Sequence, residues 1–380
     1  MNVLTCVSLF AAFSLIGAEP RLIGDFTPLG RNSRSPQGFP EGYEDLAVSS
    51  ARGRIAGASR ARAIALWDTK SGTEIDVLVK YPERWSDTLF ATAIGYSAEG
   101  NLLAALSVAH NGVGQANTAA RLRIWNQPAG RETTFQIERE FKTPHLAVAP
   151  DGKSVAAWLD QAGEATLWRI SDGELGKPAT IRPVSRGGKL RIRDLLILPA
   201  GNELLLACAN ERRGKCELVV CGFDPAKPQR RIGSTDHDVQ AISLSGDDKI
   251  LHALVLLAQG GWGTQSWNIE TGQEAAAPRP LVGKQPEDLL FGFDLNGANL
   301  SPYGARLAVI PAKRRELLVY DLSTGQQTVR IALPEGKKAM SVFLEASGNA
   351  IVASLNDYRL LVWDISSPAP AEGSGKSSSP

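Results

Sequence analysis

One ten-residue pattern recurs seven times along the 380 residues: SARGRIAGAS, SAEGNLLAAL, APDGKSVAAW, LPAGNELLLA, SGDDKILHAL, SPYGARLAVI and EASGNAIVAS. The fourth positions are Gly53, Gly100, Gly152, Gly201, Asp248, Gly304 and Gly348, at successive gaps of 47, 52, 49, 47, 56 and 44 residues. A period of about 49 residues is long for a helical repeat and accommodates four short strands with their turns. The turn residue has a physical cause, because a tight strand connection often needs positive φ, which Gly takes freely and Asp tolerates. The Leu, Ile, Val and Ala that follow it are what a strand buried on both faces requires.

Each unit then closes in a second apolar strand with a marker: AIALWD, RLRIWN, ATLWRI, LVVCGFD, TQSWNI, LLVYDL and LLVWDI. In several units a turn follows at once, as in TKSGTEI, ISDGELG, IETGQEA and LSTGQQT. No helical pattern of 10 to 15 residues alternates with these strands, which disfavours a parallel α/β fold. Over residues 22 to 367 the chain resembles the WD-repeat family of β-propellers: a turn like SPDG, an apolar strand, then a strand ending in Trp-Asp. Trp67-Asp68 and Trp363-Asp364 match that pair outright, and Trp125-Asn126, Trp267-Asn268 and Tyr320-Asp321 differ by one residue. Trp168-Arg169 keeps only the aromatic, and the fourth unit has Cys221 to Asp224 at this place. Kelch repeats would show a Gly-Gly pair in each unit, which this chain lacks. The family's Gly-His pair and turn Asp are represented mainly by His237 and Asp357, so the expected blades are held by apolar packing between sheets more than by polar networks.

The resemblance implies an all-β, seven-bladed β-propeller. The last strand, LLVWD, is followed only by a polar tail, and an open sheet edge there would be a pairing liability. The segment RLIGDFTPL, Arg21 to Leu29, is strand-like and otherwise unassigned, so it is expected to pair with the strand ending at Trp363 and close the ring. Residues 1–18, MNVLTCVSLFAAFSLIGA, have no charged side chain and end in Gly17-Ala18, the pattern of a secretory signal peptide; the stretch is short of the ~20 apolar residues of a spanning helix. The expected organisation is a leader over 1–18, a propeller over 19–368 and a disordered Ser/Pro/Gly tail over 369–380, with no transmembrane span once the leader is removed. The spacer Gly30 to Asp45 reads as an irregular loop ahead of the first full blade.

Lys and Arg number 41 against 40 Asp and Glu, a net charge of +1, so the surface is not basic all over and no nucleic-acid partner is expected. Cys208 and Cys216 flank ANERRGK, a hairpin connection, and are open to two readings: a disulfide across two strands of an exported protein, or two buried thiols, with Cys221 left over either way. The histidines, His110, His145, His237 and His252, stand at no metal-ligand spacing and are expected to be structural. No phosphate loop, GxSxG elbow or HExxH helix is present; GGWG at Gly260 to Gly263 lacks the helix and Lys that phosphate cradling needs. No catalytic residue, cofactor or metal site is therefore expected, and Asp87, Asp160 and Asp294 are the carboxylates that could meet at a propeller centre.

The resemblance also implies that the connections between second and third strands, and those between blades, share one face. There the chain puts Arg60 and Arg62, Tyr81 and Trp85, Arg212 and Arg213, Trp262, and Lys313, Arg314 and Arg315. Arg and aromatic side chains are those most enriched at binding hot spots. The expected protein is a secreted or periplasmic monomer, a non-enzymatic scaffold taking a protein partner, an acidic one, on that face. Solvated hairpin tips, a propeller hydrolase or lactonase with a metal or carboxylate channel site, and a polysaccharide binder using Trp85 and Trp262 are the alternatives.

Overall fold

The computed structural model describes residues 20–26, 43–49, 51–59, 63–80, 89–109, 120–126, 131–137, 144–159, 163–184, 190–210, 214–224, 228–282, 298–311, 315–357 and 359–366. Among these residues every regular element is a strand. After β1 (Arg21–Phe26), blade one is β2 (Tyr43–Ser49), β3 (Arg54–Ser59), β4 (Ala63–Asp68) and β5 (Glu74–Lys80). Blade two is β6 (Leu89–Tyr96), β7 (Leu102–Ala109), β8 (Ala120–Asn126) and β9 (Arg131–Ile137). Blade three is β10 (Pro144–Val148), β11 (Ser154–Leu159), β12 (Ala165–Ser171) and a broken outer strand, β13 (Glu174–Leu175) and β14 (Ala179–Ile181). Blade four is β15 (Leu190–Ile197), β16 (Glu203–Asn210), β17 (Lys215–Gly222) and β18 (Arg230–Thr235), and blade five β19 (Asp238–Leu244), β20 (Ile250–Leu256), β21 (Trp262–Asn268) and β22 (Glu274–Pro280). Blade six is β23 (Ala298–Leu300), β24 (Arg306–Val309), β25 (Glu316–Asp321) and β26 (Gln326–Ala332), and blade seven β27 (Ala339–Leu344), β28 (Ala350–Leu355) and β29 (Leu360–Asp364).

All pairings within blades are antiparallel and run in chain order from the inside outward. The first strands touch one another in sequence from blade one to blade seven, and β27 returns to β2. The protein is a seven-bladed β-propeller. Blade seven takes its fourth strand from the other end of the chain: β1 pairs antiparallel with β29, Arg21 opposite Asp364, Leu22 opposite Trp363 and Phe26 opposite Leu360. The expected ring closure is thus observed, and Arg21–Asp364 and Arg359–Asp25 ion pairs, each 3.2 Å, flank it.

The turn residues do what the repeat implied at six of seven units: Gly53, Gly100, Gly152, Gly201, Asp248 and Gly348 all have positive φ. The sixth differs. There Ala305 takes the left-handed conformation, at φ 49°, while a Cβ on Gly304 would lie 2.1 Å from the Ser347 carbonyl oxygen of the next blade. Gly304 is required by that close approach between turns, not by its own φ.

The marker aromatic is buried between blades, and the residue after it caps the following turn. Trp67 is buried, and the Asp68 carboxylate accepts from the Lys70 and Ser71 amides and the Ser71 hydroxyl, which lowers its pKa below the usual carboxylate value. Asn268, Asp321 and Asp364 make the same kind of turn with Thr271, Ser323 and Ser366. In blade three Arg169 cannot do so, and the chain instead reverses on Asp172-Gly173, both at positive φ, the two-residue turn that such a pair favours. In blade four Cys221, opposite Leu204, occupies the marker position that Trp125, opposite Leu103, takes in blade two; the aromatic there is Phe223, two residues on, with the Arg169 guanidinium 5.4 Å from its ring centre.

Among the described residues the buried apolar side chains fall into seven clusters, one in each seam between neighbouring blades. Burying one such Leu, Ile or Val stabilises by about 1.5–3 kcal/mol. Polar bridges add to this where the inner strands meet. Asp45, beside a bulge in β2, accepts from the amide of Ile94 in the next blade (2.9 Å), and Asp194, beside the matching bulge in β15, accepts from Ile242 (2.8 Å). The expectation of mostly apolar seams holds for most of the ring, and two seams depart from it: between blades six and seven the Arg306 guanidinium donates to the Gly348 and Ile365 carbonyls (2.9 and 2.8 Å), and between blades five and six hydroxyls bridge the blades. There the Ser243 hydroxyl donates to the Ser301 carbonyl (2.6 Å) and accepts from the Ala305 amide (2.9 Å), and the Thr264 hydroxyl donates to the Leu322 carbonyl (2.6 Å).

Candidate functional site

Antiparallel order puts the first-to-second and third-to-fourth turns at one end of each blade, and the second-to-third hairpins and the blade-to-blade connections at the other. That second end is the face on which the sequence placed its candidate residues. Of these, Arg60, Arg62, Tyr81, Trp85, Arg212, Arg213, Lys313 and Arg314 lie outside the described residues, as do Asp87, Asp160, Asp294 and His110. Trp262 and Arg315 are described, and the structure brings them to the same end of adjacent blades.

The blade five hairpin is built by its glycines. Leu257 donates to the Gly261 carbonyl and Gly260 to that of Leu257, with Gly260 and Gly261 at φ 79° and 94°, so the GGWG run is a strand turn. The turn aligns Trp262 opposite Leu256 in the ladder. Trp262 is half-buried, packed on the apolar cluster between blades five and six, and its carbonyl accepts from Leu281. Leu256, by contrast, is 40% exposed and Val282, just past the outer strand, 49%. Arg315 opens the third strand of blade six with its side chain in solvent, and its carbonyl accepts from Leu333. Leu256 and Val282 were not among the sequence candidates. The signal that could have found Leu256 is the run LVLLAQGGW, in which the apolar stretch continues past the point where the turn begins.

On the same face blade seven shows what stands in the place of a His–Asp network. Asp357, in the second-to-third hairpin, is 2.6 Å from Lys337 Nζ in the preceding connection and 3.0 Å from Arg359 Nε. Burial acts to raise the Asp357 carboxyl, but Lys337 and Arg359 outweigh it and hold it below the usual carboxylate value. Asn356 and Lys338 exchange a further pair of bonds, the Asn356 amide to the Lys338 carbonyl and the Lys338 amide to the Asn356 side chain. His237, the residue at the family's histidine position, bonds instead through its backbone amide to the Thr235 hydroxyl.

The described histidines have structural surroundings. His145 stacks on Trp158 across β10 and β11, ring centres 4.9 Å apart, and His252 is buried with Nδ1 2.8 Å from the Ser266 hydroxyl. Between the two readings of the cysteines, the structure decides for buried thiols. Cys208 pairs with Glu217 while Cys216 pairs with Ala209, a one-residue offset that sends the two sulfurs to opposite faces of blade four. Cys208 faces the seam with blade three and Cys216 the seam with blade five. Burial pushes the Cys216 and Cys221 thiols up to about 12 and the Cys208 thiol well above its ordinary value, so none is a thiolate near neutral pH. Among the described residues no three His, Cys, Asp or Glu side chains converge as a metal site would need, and no helix is long and apolar enough to cross a membrane.

No family model matches the chain, and no curated protein matches it. Solved structures do share its fold. The β-propeller domain of Cps50 (Swd1) from Myceliophteria thermophila superimposes at a TM-score of 0.58 and 13% identity, over 85% of this chain and 96% of that one. A chain of the mitotic checkpoint complex gives 0.56 and 13%, over 96% of both chains, and a chain of Kuenenia stuttgartiensis hydrazine synthase 0.56 and 13%, over 88% of this chain and 98% of that one. At such identity the likeness establishes the fold, a β-propeller, which the repeat, the blade topology and these relatives in space all share.

Proposed function

We propose that the protein is a divergent member of the WD-repeat propellers, exported by its 1–18 leader, and that it acts as a non-enzymatic scaffold taking a protein partner on the hairpin and connection face. The observation that carries this reading is the blade five hairpin, where exposed Leu256 stands opposite half-buried Trp262, with the exposed Arg315 at the same end of the adjacent blade six. Apolar anchors beside arginine are the composition of a binding hot spot. The sequence adds Arg212, Arg213 and Arg314 to the same face, and these favour an acidic partner. One structural relative belongs to a protein complex and another to an enzyme, so the fold is neutral between these roles.

The test is affinity purification from the cell envelope with the native chain and with Arg212, Arg213, Arg314 and Arg315 all changed to Glu. The expected result is loss of the same bound protein from the reversed variant at unchanged thermal midpoint. An unchanged set of bound proteins overturns the reading, and a stoichiometric metal in the purified protein would favour the hydrolase instead. Export is tested by the mature N-terminus, expected at Glu19 in the secreted or periplasmic fraction.

A further inference from the structure

His252 lies on β20 with its side chain directed, like that of Leu254, into the seam with blade six. It is 3% exposed, and its hydrogen bond is to Ser266 on the neighbouring strand of its own blade. Around it the two blades are joined by the hydroxyls of Ser243 and Thr264, both reaching backbone groups of blade six. The cluster filling the rest of the seam, Leu254, Ala305, Leu307, Val309, Leu318, Tyr320 and Leu322, carries no charge, and the Tyr320 hydroxyl is buried there with no hydrogen-bond partner among the described residues. The charged groups acting on the imidazole are Asp247 and Arg279 from blade five and Asp321 from blade six. None forms a hydrogen bond or ion pair with it, so an imidazolium formed in the closed seam would have no counter-ion in contact.

We propose that the seam between blades five and six is an acid-opened joint, in which proton uptake by His252 parts these two blades while the other seams stay closed. The proton comes from solvent. The charged ring is stabilised only if water enters, and water entering the seam competes with the bridges from Ser243 and Thr264 to blade six. Burial is the largest influence on the closed-state imidazole and lowers its pKa from 6.5 to about 4; Asp321 and Asp247 oppose this and Arg279 reinforces it. Opening hydrates the ring and restores its ordinary value. The closed seam therefore has its full stability above pH 6.5 and loses it progressively as the pH falls through that value toward 4. Between pH 7 and pH 4 the equilibrium for opening shifts by about a hundredfold.

Hydrogen exchange of the full chain at pH 7 and pH 4.5, corrected for the intrinsic pH dependence of exchange, reads this directly in the native protein and in His252→Gln. At pH 4.5 the native chain is expected to lose protection in β19 to β26 while β10 to β17 keep theirs, and His252→Gln is expected to keep both. A loss spread evenly round the ring, or the same local loss in His252→Gln, overturns the proposal. Should His252→Gln not fold, the NMR titration of the His252 imidazole in the native chain decides: a midpoint that coincides with loss of protection in blades five and six supports the joint, and titration in a ring that stays fully protected overturns it.

Discussion

The seam between blades three and four and the seam between blades five and six are the same joint in the same fold, made from different chemistry. The first buries Trp158, Leu167, Ile192, Leu195, Leu204 and Leu206 with two thiols, Cys208 and Cys221; beside this cluster the Ser154 hydroxyl reaches the Gly201 carbonyl at a long 3.4 Å, and the short polar links lie out at the rim, where the Gln229 side chain accepts from the Val184 amide (2.8 Å) and donates to the Arg182 carbonyl (2.7 Å). The second has a smaller apolar cluster and short hydroxyl bridges, with a histidine buried beside them. An apolar seam is stabilised by area, tolerates small shifts and is indifferent to pH. A polar seam depends on direction and protonation, because each bridging group left unsatisfied costs the full desolvation of a buried donor or acceptor. The ring can therefore have a strong joint and a conditional joint without any change of topology.

The largest expected effect is Leu206→Ala in the apolar seam. Leu206 is fully buried between Leu195 and Val219 in the ladder, and truncation should cost about 2–5 kcal/mol in urea unfolding, with no dependence on pH between 4 and 7. A cost that varies with pH would break the contrast. Ser243→Ala in the polar seam comes next, at about 1–3 kcal/mol, because it leaves the Ser301 carbonyl and the Ala305 amide without their bridge. A cost of only a few tenths would show that the hydroxyl bridges follow the packing and do not hold the seam. Ser154→Ala, which removes the long link across the apolar seam, should cost under about 1 kcal/mol by the same measurement.

How much of this was legible in the residues follows the same division. The seam chemistry of period and packing was: seven turns, seven marker positions and the closing strand at Arg21 to Phe26 all repeat a pattern that side-chain type alone reveals. Even the inner-strand bridges can be found in retrospect, since Asp45-Leu46 and Asp194-Leu195 stand 48 and 47 residues ahead of Ala93-Ile94 and Ala241-Ile242. What local sequence could not show is contact between distant turns. Gly304 looks like its six counterparts but is needed for Ser347, and the positive φ moves to Ala305, a residue with no propensity for it. The cysteines were ambiguous because hairpin spacing does not give the register, and a one-residue offset decides the face. The candidate face was the least legible part, since its loops carry no periodicity and only Trp262 and Arg315 of its ten residues fall among those described.

The smallest expected effect tests which kind of joint closes the ring. Blade seven's outer strand is flanked by Arg21–Asp364 and Arg359–Asp25, and Arg21 is largely in solvent, so these pairs are screened by salt. Beneath them Ile23 packs against the cluster of Leu46, Val48, Ile55, Trp67, Phe343, Val352, Leu360 and Val362 that joins blades seven and one. If closure is an apolar joint, Arg21→Ala and Asp25→Ala should each cost about 0–1 kcal/mol, and raising the salt from 0.05 M to 0.5 M, roughly a threefold fall in screening length, should leave the thermal midpoint nearly unchanged. A midpoint that drops steeply with salt in the native chain, and not in Arg21→Ala combined with Asp25→Ala, would place closure with the polar seam instead, and the last strand would then be held at its ends more than along its length.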